Sequence, residues 1–323
     1  MSPSPTGGVL CAGGAVVDRL LHLHAPAVPA TSNPARAAAS YGGVARNVAE
    51  NLARLGVDVG LVSAVGDDAA APALLAHAAA AGIDVSGVRR VSGATTAEYV
   101  AVLDPDGDLV LGVAAMDVLA QIGADDVAAA LAARRPAWVF LDCNLTAAAL
   151  AGALDACRAA GVRVAVDAVS TPKAVRLPVD LTGVDVLFCN LDEARVLAGE
   201  HLVATDEVGA ETELAAAVRR RGCAAVVLTR GARGPLVVEP AQVASLTIVP
   251  RDAVDVTGAG DSLVAGTLAG LLRRDDLPTA VGLGTRLAAL TVTSEHTVRP
   301  DLAEALAGST TRPPAPPTEE DQP

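Results

Sequence analysis

Asp255-Val256-Thr257-Gly258-Ala259-Gly260-Asp261, running straight into Ser262-Leu263-Val264-Ala265-Gly266-Thr267-Leu268-Ala269-Gly270-Leu271-Leu272, is the stretch from which this sequence is best read. The apolar run after Asp261 has helical periodicity, and the small residues at 258–260 let the backbone approach a ligand closely. The N–H groups that open such a helix point outward and make an anion hole. Asp261, on the first turn, then faces the same pocket and can take a proton from an attacking hydroxyl. The same residues also suit a helix-capping aspartate after a glycine turn.

Working outward, short β-type runs alternate with helical segments along the chain. Val9–Cys11, Val59–Val65, Trp138–Asp142, Val162–Val166, Val184–Cys189 and Ala224–Thr229 read as strands. Ala45–Leu55, Pro72–Ala80, Ala147–Ala160, Asp192–Leu197 and the run after Gly260 read as helices. Such alternation predicts an α/β fold, a three-layer sandwich with a mainly parallel central sheet and helices on both faces. Ligands of such sheets bind at the carboxyl ends of the strands. One region departs from this pattern. Thr95–Leu103 and Leu109–Val113 flank the turn Asp104-Pro105-Asp106-Gly107, which predicts a hairpin. With the stretch from Val16 to Ser40 it predicts a small β-sheet lid, built from segments near 16–40 and 91–116. Residues 1–308 then form one domain, and the Pro- and Thr-rich tail 309–323 is expected to be disordered.

The 323 residues carry a formal net charge of -13, with no local basic stripe, so nucleic acid is not an expected partner. No apolar stretch approaches the roughly 20 residues of a membrane span, and the start MSPSPTGG does not read as a signal peptide. The five cysteines are scattered inside apolar runs, as expected of buried, reduced thiols in a cytoplasmic protein. The five histidines show no ligand spacing.

Three further segments carry polar chemistry. In Tyr41-Gly42-Gly43-Val44-Ala45-Arg46-Asn47, a glycine pair sits at the start of a helix whose Val44, Val48, Leu52 and Leu55 mark its buried face. Asn47, one turn in, has a donor and an acceptor to offer a sugar hydroxyl. Asn190-Leu191-Asp192-Glu193 follows the strand VDVLFC, at the level where Mg²⁺ and phosphates are handled, and equally fits an ordinary acidic helix start. Thr229-Arg230-Gly231-Ala232-Arg233-Gly234 follows AAVVL and suits either a nucleotide's phosphates or a plain strand-to-strand turn.

Taken jointly and in this order, the motifs resemble the ribokinase-like (PfkB) carbohydrate kinase family over nearly the whole chain. The resemblance implies transfer of the γ-phosphate of ATP to a hydroxyl, with Mg²⁺ and a monovalent cation, K⁺, as cofactors. It implies Asp261 as general base and Gly258, Ala259 and Gly260 as the anion hole. It implies Asn190 and Glu193 at Mg²⁺ through water, Thr229, Gly231 and Gly234 at ATP, and Asp255 and Thr257 at the monovalent cation. Asp18, Gly42, Gly43, Asn47 and Asn144 match substrate-binding positions. Cys189 stands where the family's pattern has proline. The resemblance further implies a homodimer joined through the lid.

Segments outside the shared motifs, Thr31-Ser32-Asn33-Pro34, GGVARNVAENLARLG, EYVAVLDPDGDLVLGVAAM, VDAVSTPKAVRL and SEHTVRPDL, resemble the pseudouridine kinases within that family. They imply phosphorylation of a nucleoside 5′-hydroxyl, with Ser32, Asn33 and Thr96 in the lid addressing the uracil ring and Lys173 beside the substrate. Another sugar or nucleoside kinase, such as a ribokinase or an adenosine-type kinase, is the alternative. A sugar-binding regulator without catalysis is a third reading, against which the intact Asp261 and glycine hole speak.

Overall fold

The computed structural model describes residues 7–199, 208–248 and 251–309. Residues 1–6 and 310–323 lie outside the described residues, so of the tail 309–323 that was expected to be disordered only Ser309, the end of a helix, is described. The strands are β1 (Val9–Ala12), β2 (Val16–Leu23), β3 (Ala35–Gly42), β4 (Val59–Gly66), β5 (Asp84–Val91), β6 (Glu98–Leu103) and β7 (Leu109–Ala115). They continue with β8 (Trp138–Asp142), β9 (Arg163–Asp167), β10 (Val186–Asn190), β11 (Ala225–Thr229), β12 (Leu236–Val238) and β13 (Val243–Ser245). The helices are α1 (Val44–Arg54), α2 (Ala70–Ala80), α3 (Ala124–Arg134), α4 (Ala147–Ala160) and α5 (Thr171–Ala174). The rest are α6 (Leu191–Ala198), α7 (Val208–Arg219), α8 (Ala259–Leu272), α9 (Leu277–Thr291) and α10 (Leu302–Ser309).

Nine strands form the central sheet in the order β13-β12-β11-β10-β9-β8-β1-β4-β5. From β11 to β5 every neighbouring pair is parallel, while β12 and β13 close one edge antiparallel. Alternation along each strand sends side chains to two separate cores, because successive residues face opposite sides of a sheet. In β1, Leu10 and Ala12 join the core shared with α3, α4, α6 and α7. Val9 and Cys11 join the core shared with α1, α2, α8 and α9. These are the three layers the sequence pattern predicts. All five cysteines are free and buried, as expected of apolar positions in such a core. No described helix is long and apolar enough to cross a membrane.

A second, four-stranded sheet runs β3-β2-β6-β7 and is the expected lid. Its outer pairs are antiparallel and its central pair, β2 with β6, is parallel. The Asp104–Gly107 turn forms as predicted: Asp104 Oδ1 accepts from the N–H groups of Asp106 and Asp108, both at 2.9 Å, and Gly107 N–H closes on the Asp104 carbonyl at 3.1 Å. Strand β7 is exposed throughout, with Leu109, Val110, Leu111 and Val113 about half accessible.

Candidate active site

The parallel register collects polar side chains at one edge of the sheet. Asp142, the last residue of β8, stands beside Asp167, the last of β9. Asn190 and Thr229, which end β10 and β11, stand beside each other. Helix α8 brings its first turn to the same edge. Asp167, Asn190, Glu193, Thr229, Gly260 and Asp261 thus line one cavity of about 180 Å³. A larger groove of about 440 Å³ between β5 and α3 lacks this convergence, since its Arg89 pairs with Asp126 and its Arg134 with Asp84.

Gly258 caps α8 at φ +78°, and a Cβ there would strike the Thr297 carbonyl, so the turn requires glycine. The N–H groups of Gly260 and Asp261 open the helix behind it, where an anion is favoured. Asp261 Oδ2 accepts from Asn47 Nδ2 at 2.6 Å, so α1 meets α8 through the proposed base. Burial pushes the Asp261 carboxyl up to about 6; the Asn47 bond and the Arg46 charge oppose this, and Asp142 and Asp18 reinforce it. A carboxylate of that affinity is ionised at neutral pH and still basic enough to accept a proton.

Asp18 on β2 projects over Gly42, where any Cβ would collide with its carboxylate. Burial raises its carboxyl to about 6 as well, with Arg46 opposing. Gly43 is the N-cap of α1, at φ +93°. The Asp142 carboxylate, wholly inaccessible, ties the surrounding backbone together. Its Oδ2 accepts from Gly14 N–H at 2.9 Å and Ala45 N–H at 2.8 Å, and its Oδ1 from Asn144 N–H at 2.8 Å. Asn144 Oδ1 in turn accepts from Lys173 Nζ at 2.6 Å, so these two expected substrate residues are adjacent and paired.

On the other side of Asp261, Asn190 and Glu193 form a reciprocal cap on α6. Asn190 N–H and Nδ2 both donate to the Glu193 carboxylate at 2.8 Å, and Glu193 N–H donates to Asn190 Oδ1 at 2.9 Å. The helix-start reading and the ligand-handling reading thus describe the same side chains. Burial pushes both Glu193 and Asp167 upward in pKa, Asp167 further through the negative charge of Asp261 and Glu193. Ser170 N–H bonds the Ala168 carbonyl at 2.7 Å around Val169, a β-branched residue held at φ +67°, so the chain leaving Asp167 is strained where it lines the cavity. Gly231 and Gly234 lie in the connection from β11 to β12, so the strand-to-strand turn is real. Asp255 Oδ1 accepts from Thr257 N–H at 2.8 Å, bracing the loop ahead of Gly258.

Three expected residues stand apart. Ser32 and Asn33 lie in the loop joining β2 to β3, at the lid end opposite Gly42. Asn33 spends its side chain on that loop, accepting from Val28 N–H at 2.8 Å and donating to the Val28 carbonyl at 2.9 Å. Thr96 is buried with its hydroxyl donated to Asp68 at 2.7 Å. Conversely, Asp142, Asp167 and Arg46 were missed by sequence reasoning. Two of them carried a usable signal, an aspartate closing an apolar parallel strand in WVFLD and RVAVD. Arg46 carried none, because charged helix residues are ordinarily solvated.

Comparison with known proteins agrees with this geometry. Residues 9–304 match the model of the pfkB family carbohydrate kinases. The pseudouridine kinase of Escherichia coli (strain K12) is 30% identical over 92% of this chain and 94% of its own. The ribokinase of Haemophilus influenzae is 26% identical over 79% of this chain and 82% of its own. The solved Arabidopsis thaliana ribokinase, complexed with ribose and ATP, superposes with a TM-score of 0.78 over 94% of this chain and 99% of that one, and at 18% identity it shows the shared fold. A parallel sheet with a separate lid, a glycine-capped helix carrying a buried aspartate, and a family match spanning nearly every described element lead to one statement: this chain belongs to the pfkB family of carbohydrate kinases.

Proposed function

We propose that this chain is a pseudouridine kinase, transferring the γ-phosphoryl group of ATP to the nucleoside 5′-hydroxyl to give pseudouridine 5′-phosphate and ADP. The observation that carries the kinase chemistry is Asp261, a carboxylate near neutrality in proton affinity, set on the first turn of a glycine-capped helix. The choice of nucleoside is supported by the match to the Escherichia coli pseudouridine kinase, which spans more of this chain at higher identity than the ribokinase match.

In this mechanism Asp261 takes the 5′-hydroxyl proton as the new O–P bond forms and the bond to the β-phosphate bridging oxygen breaks, leaving on ADP. Gly258 and Gly260 present N–H groups to the charge on the transferring phosphoryl oxygens, the dominant protein contribution to such reactions, while Ala259, whose N–H bonds the Val256 carbonyl at 3.3 Å, keeps the turn between them small. Thr229, Gly231 and Gly234 hold ATP. Asp18, Gly42, Gly43, Asn47, Asn144 and Lys173 hold the ribose, and the lid segments near 16–40 and 91–116, with Ser32, Asn33 and Thr96, address the base. Among the described residues no three His, Cys, Asp or Glu side chains gather as a metal cage. Mg²⁺ keeps waters and leans on one or two carboxylates plus phosphates, and the Asp167 and Glu193 carboxylates that line the cavity suit it. Glu193 and Asn190 would hold it through water, with Asp167 alongside, and the ion would supply positive charge against the phosphates of ATP. Asp255 and Thr257 are the proposed K⁺ residues. A second copy covers the half-exposed apolar face of β7, making a cytoplasmic homodimer through the lid.

Incubation with ATP, Mg²⁺ and pseudouridine, followed by phosphorus NMR, tests the reaction. The expected product is a phosphate monoester on the 5′ carbon in amounts equal to ADP. Free phosphate alone, or no ATP consumption, contradicts the proposal. The same assay should run faster in potassium than in sodium and lose that difference in Asp255→Ala. Equal rates in both cations would remove the cation site.

A further inference from the structure

Arg46 is the most buried basic side chain among the described residues, 1% exposed, although charged residues of a helix ordinarily face water. Its hydrogen bonds go to the root of the lid and to α1. Nε donates to the Gly42 carbonyl at 2.9 Å and Nη2 to the Tyr41 carbonyl at 2.6 Å, the two residues where β3 leaves the lid. Nη1 pairs with Glu50 one turn on, and Nη2 also donates to Asn47 Oδ1. Glu50, itself buried, is held from outside by Arg54, at 2.5 Å, and His77, at 3.2 Å. His77 stacks on Tyr41 with ring centroids 4.8 Å apart.

A guanidinium only donates, so the atom of Asn47 facing it must be the amide oxygen. The NH₂ then has no choice but to face Asp261 Oδ2. We propose that Arg46 is a positioning residue for the catalytic base: by donating to Asn47 Oδ1 and to the carbonyls of Tyr41 and Gly42, it fixes the Asn47 NH₂ on Asp261 and ties that geometry to the root of the lid. This role presupposes Asp261 as base. It also explains how two carboxylates from separate elements, Asp18 on β2 and Asp261 on α8, are held beside one buried cation. Arg46 opposes the burial-driven rise of both Asp18 and Asp261, while Glu50, Arg54 and His77 stand on its far side.

The test pairs a substrate-free measurement with kinetics, in wild type, Arg46→Lys and the double variant Arg46→Gln/Glu50→Gln, which avoids leaving Glu50 buried and unpaired. Carbon-13 NMR of aspartate-labelled protein follows the Asp261 carboxyl, assigned by its loss in Asp261→Asn. Wild-type Asp261 should titrate near 6. In the double variant the midpoint should rise by roughly one pH unit through loss of the cation. In Arg46→Lys, which keeps the charge and loses the fork, it should stay near wild type. Both variants should phosphorylate pseudouridine about 10 to 10² times more slowly at pH 8, with the KM for ATP unchanged, as misplaced catalytic groups do. An unmoved midpoint in the double variant, or wild-type kcat in Arg46→Lys, overturns the proposal. Should the double variant not fold, the kcat of Arg46→Lys decides alone. Turnover surviving in Asp261→Asn would overturn the base assignment instead, and is told apart because that variant keeps Arg46.

Discussion

Asp261→Asn should lower kcat by roughly 10² to 10⁴-fold while leaving ATP affinity close to wild type, because the amide keeps the shape of the carboxylate and cannot accept the hydroxyl proton. Asparagine leaves Gly258, the α8 N–H groups and the Thr229–Gly234 connection in place. Calorimetric titration with ATP and initial rates on one preparation separate the two effects, and loss of ATP binding would mean that the variant disturbs the anion hole. The wild-type rate carries a matching pH signature. The folded Asp261 and Asp18 carboxyls both sit near 6, above the ordinary aspartate value of 3.8, so each binds its proton more tightly folded than unfolded. As pH falls through 6 the base protonates and the rate should drop. Over the same window, down to about the unfolded value, these two groups should make the folded state more stable. Activity and the contribution of these carboxyls to stability therefore move in opposite directions, and Asp261→Asn should not be less stable than wild type at pH 8.

Asp142→Ala should have the opposite character, a large loss of stability. Three buried N–H groups, those of Gly14, Ala45 and Asn144, lose their only carboxylate acceptor together. Each buried donor left unsatisfied costs about 1–3 kcal/mol, so a total of roughly 3–5 kcal/mol is expected after relaxation. Against a typical 5–15 kcal/mol for a domain, this is a large fraction. Asp142→Asn, which keeps one oxygen, should fall between. Urea melts of the three proteins check the order, and a wild-type midpoint for Asp142→Ala would show that the surrounding loops hold without it.

The core strands and helix α8 were legible because their signals are local. Trp138–Asp142 and Ala147–Ala160 have the same bounds in the sequence reading and in the structure, since an apolar run ending in a polar residue and an alanine-rich helix closed by Gly161 leave little choice. The hairpin was legible from Asp104 to Gly107 because the turn chemistry is built into four consecutive residues. The edge strands β12 and β13 were not, being three residues each and defined by pairing across the sheet. Helix α1 shows the deeper limit. Its pattern marks Val44, Val48, Leu52 and Leu55 as the buried face, yet Arg46, Asn47, Glu50 and Asn51 are buried too, because the helix lies between the sheet and α8. Whether an arginine is solvated or enclosed depends on the carbonyls of Tyr41 and Gly42 and on Glu50, partners that only the folded chain assembles. Likewise, the link from Asn47 to Asp261 joins residues 214 positions apart. The sequence also could not show that Asn33 bonds within its own loop or that Thr96 donates to Asp68, partners that the folded lid supplies.

The substrate is the point on which the account stands or falls, and one comparison tests it: kcat/KM for pseudouridine, uridine, adenosine and ribose under a single set of conditions with ATP, Mg²⁺ and potassium. A site that hydrogen-bonds the extra ring N–H of pseudouridine rejects analogues lacking it by large factors. Pseudouridine should come first, with uridine, adenosine and ribose well behind. A preference for ribose or adenosine over pseudouridine would contradict it.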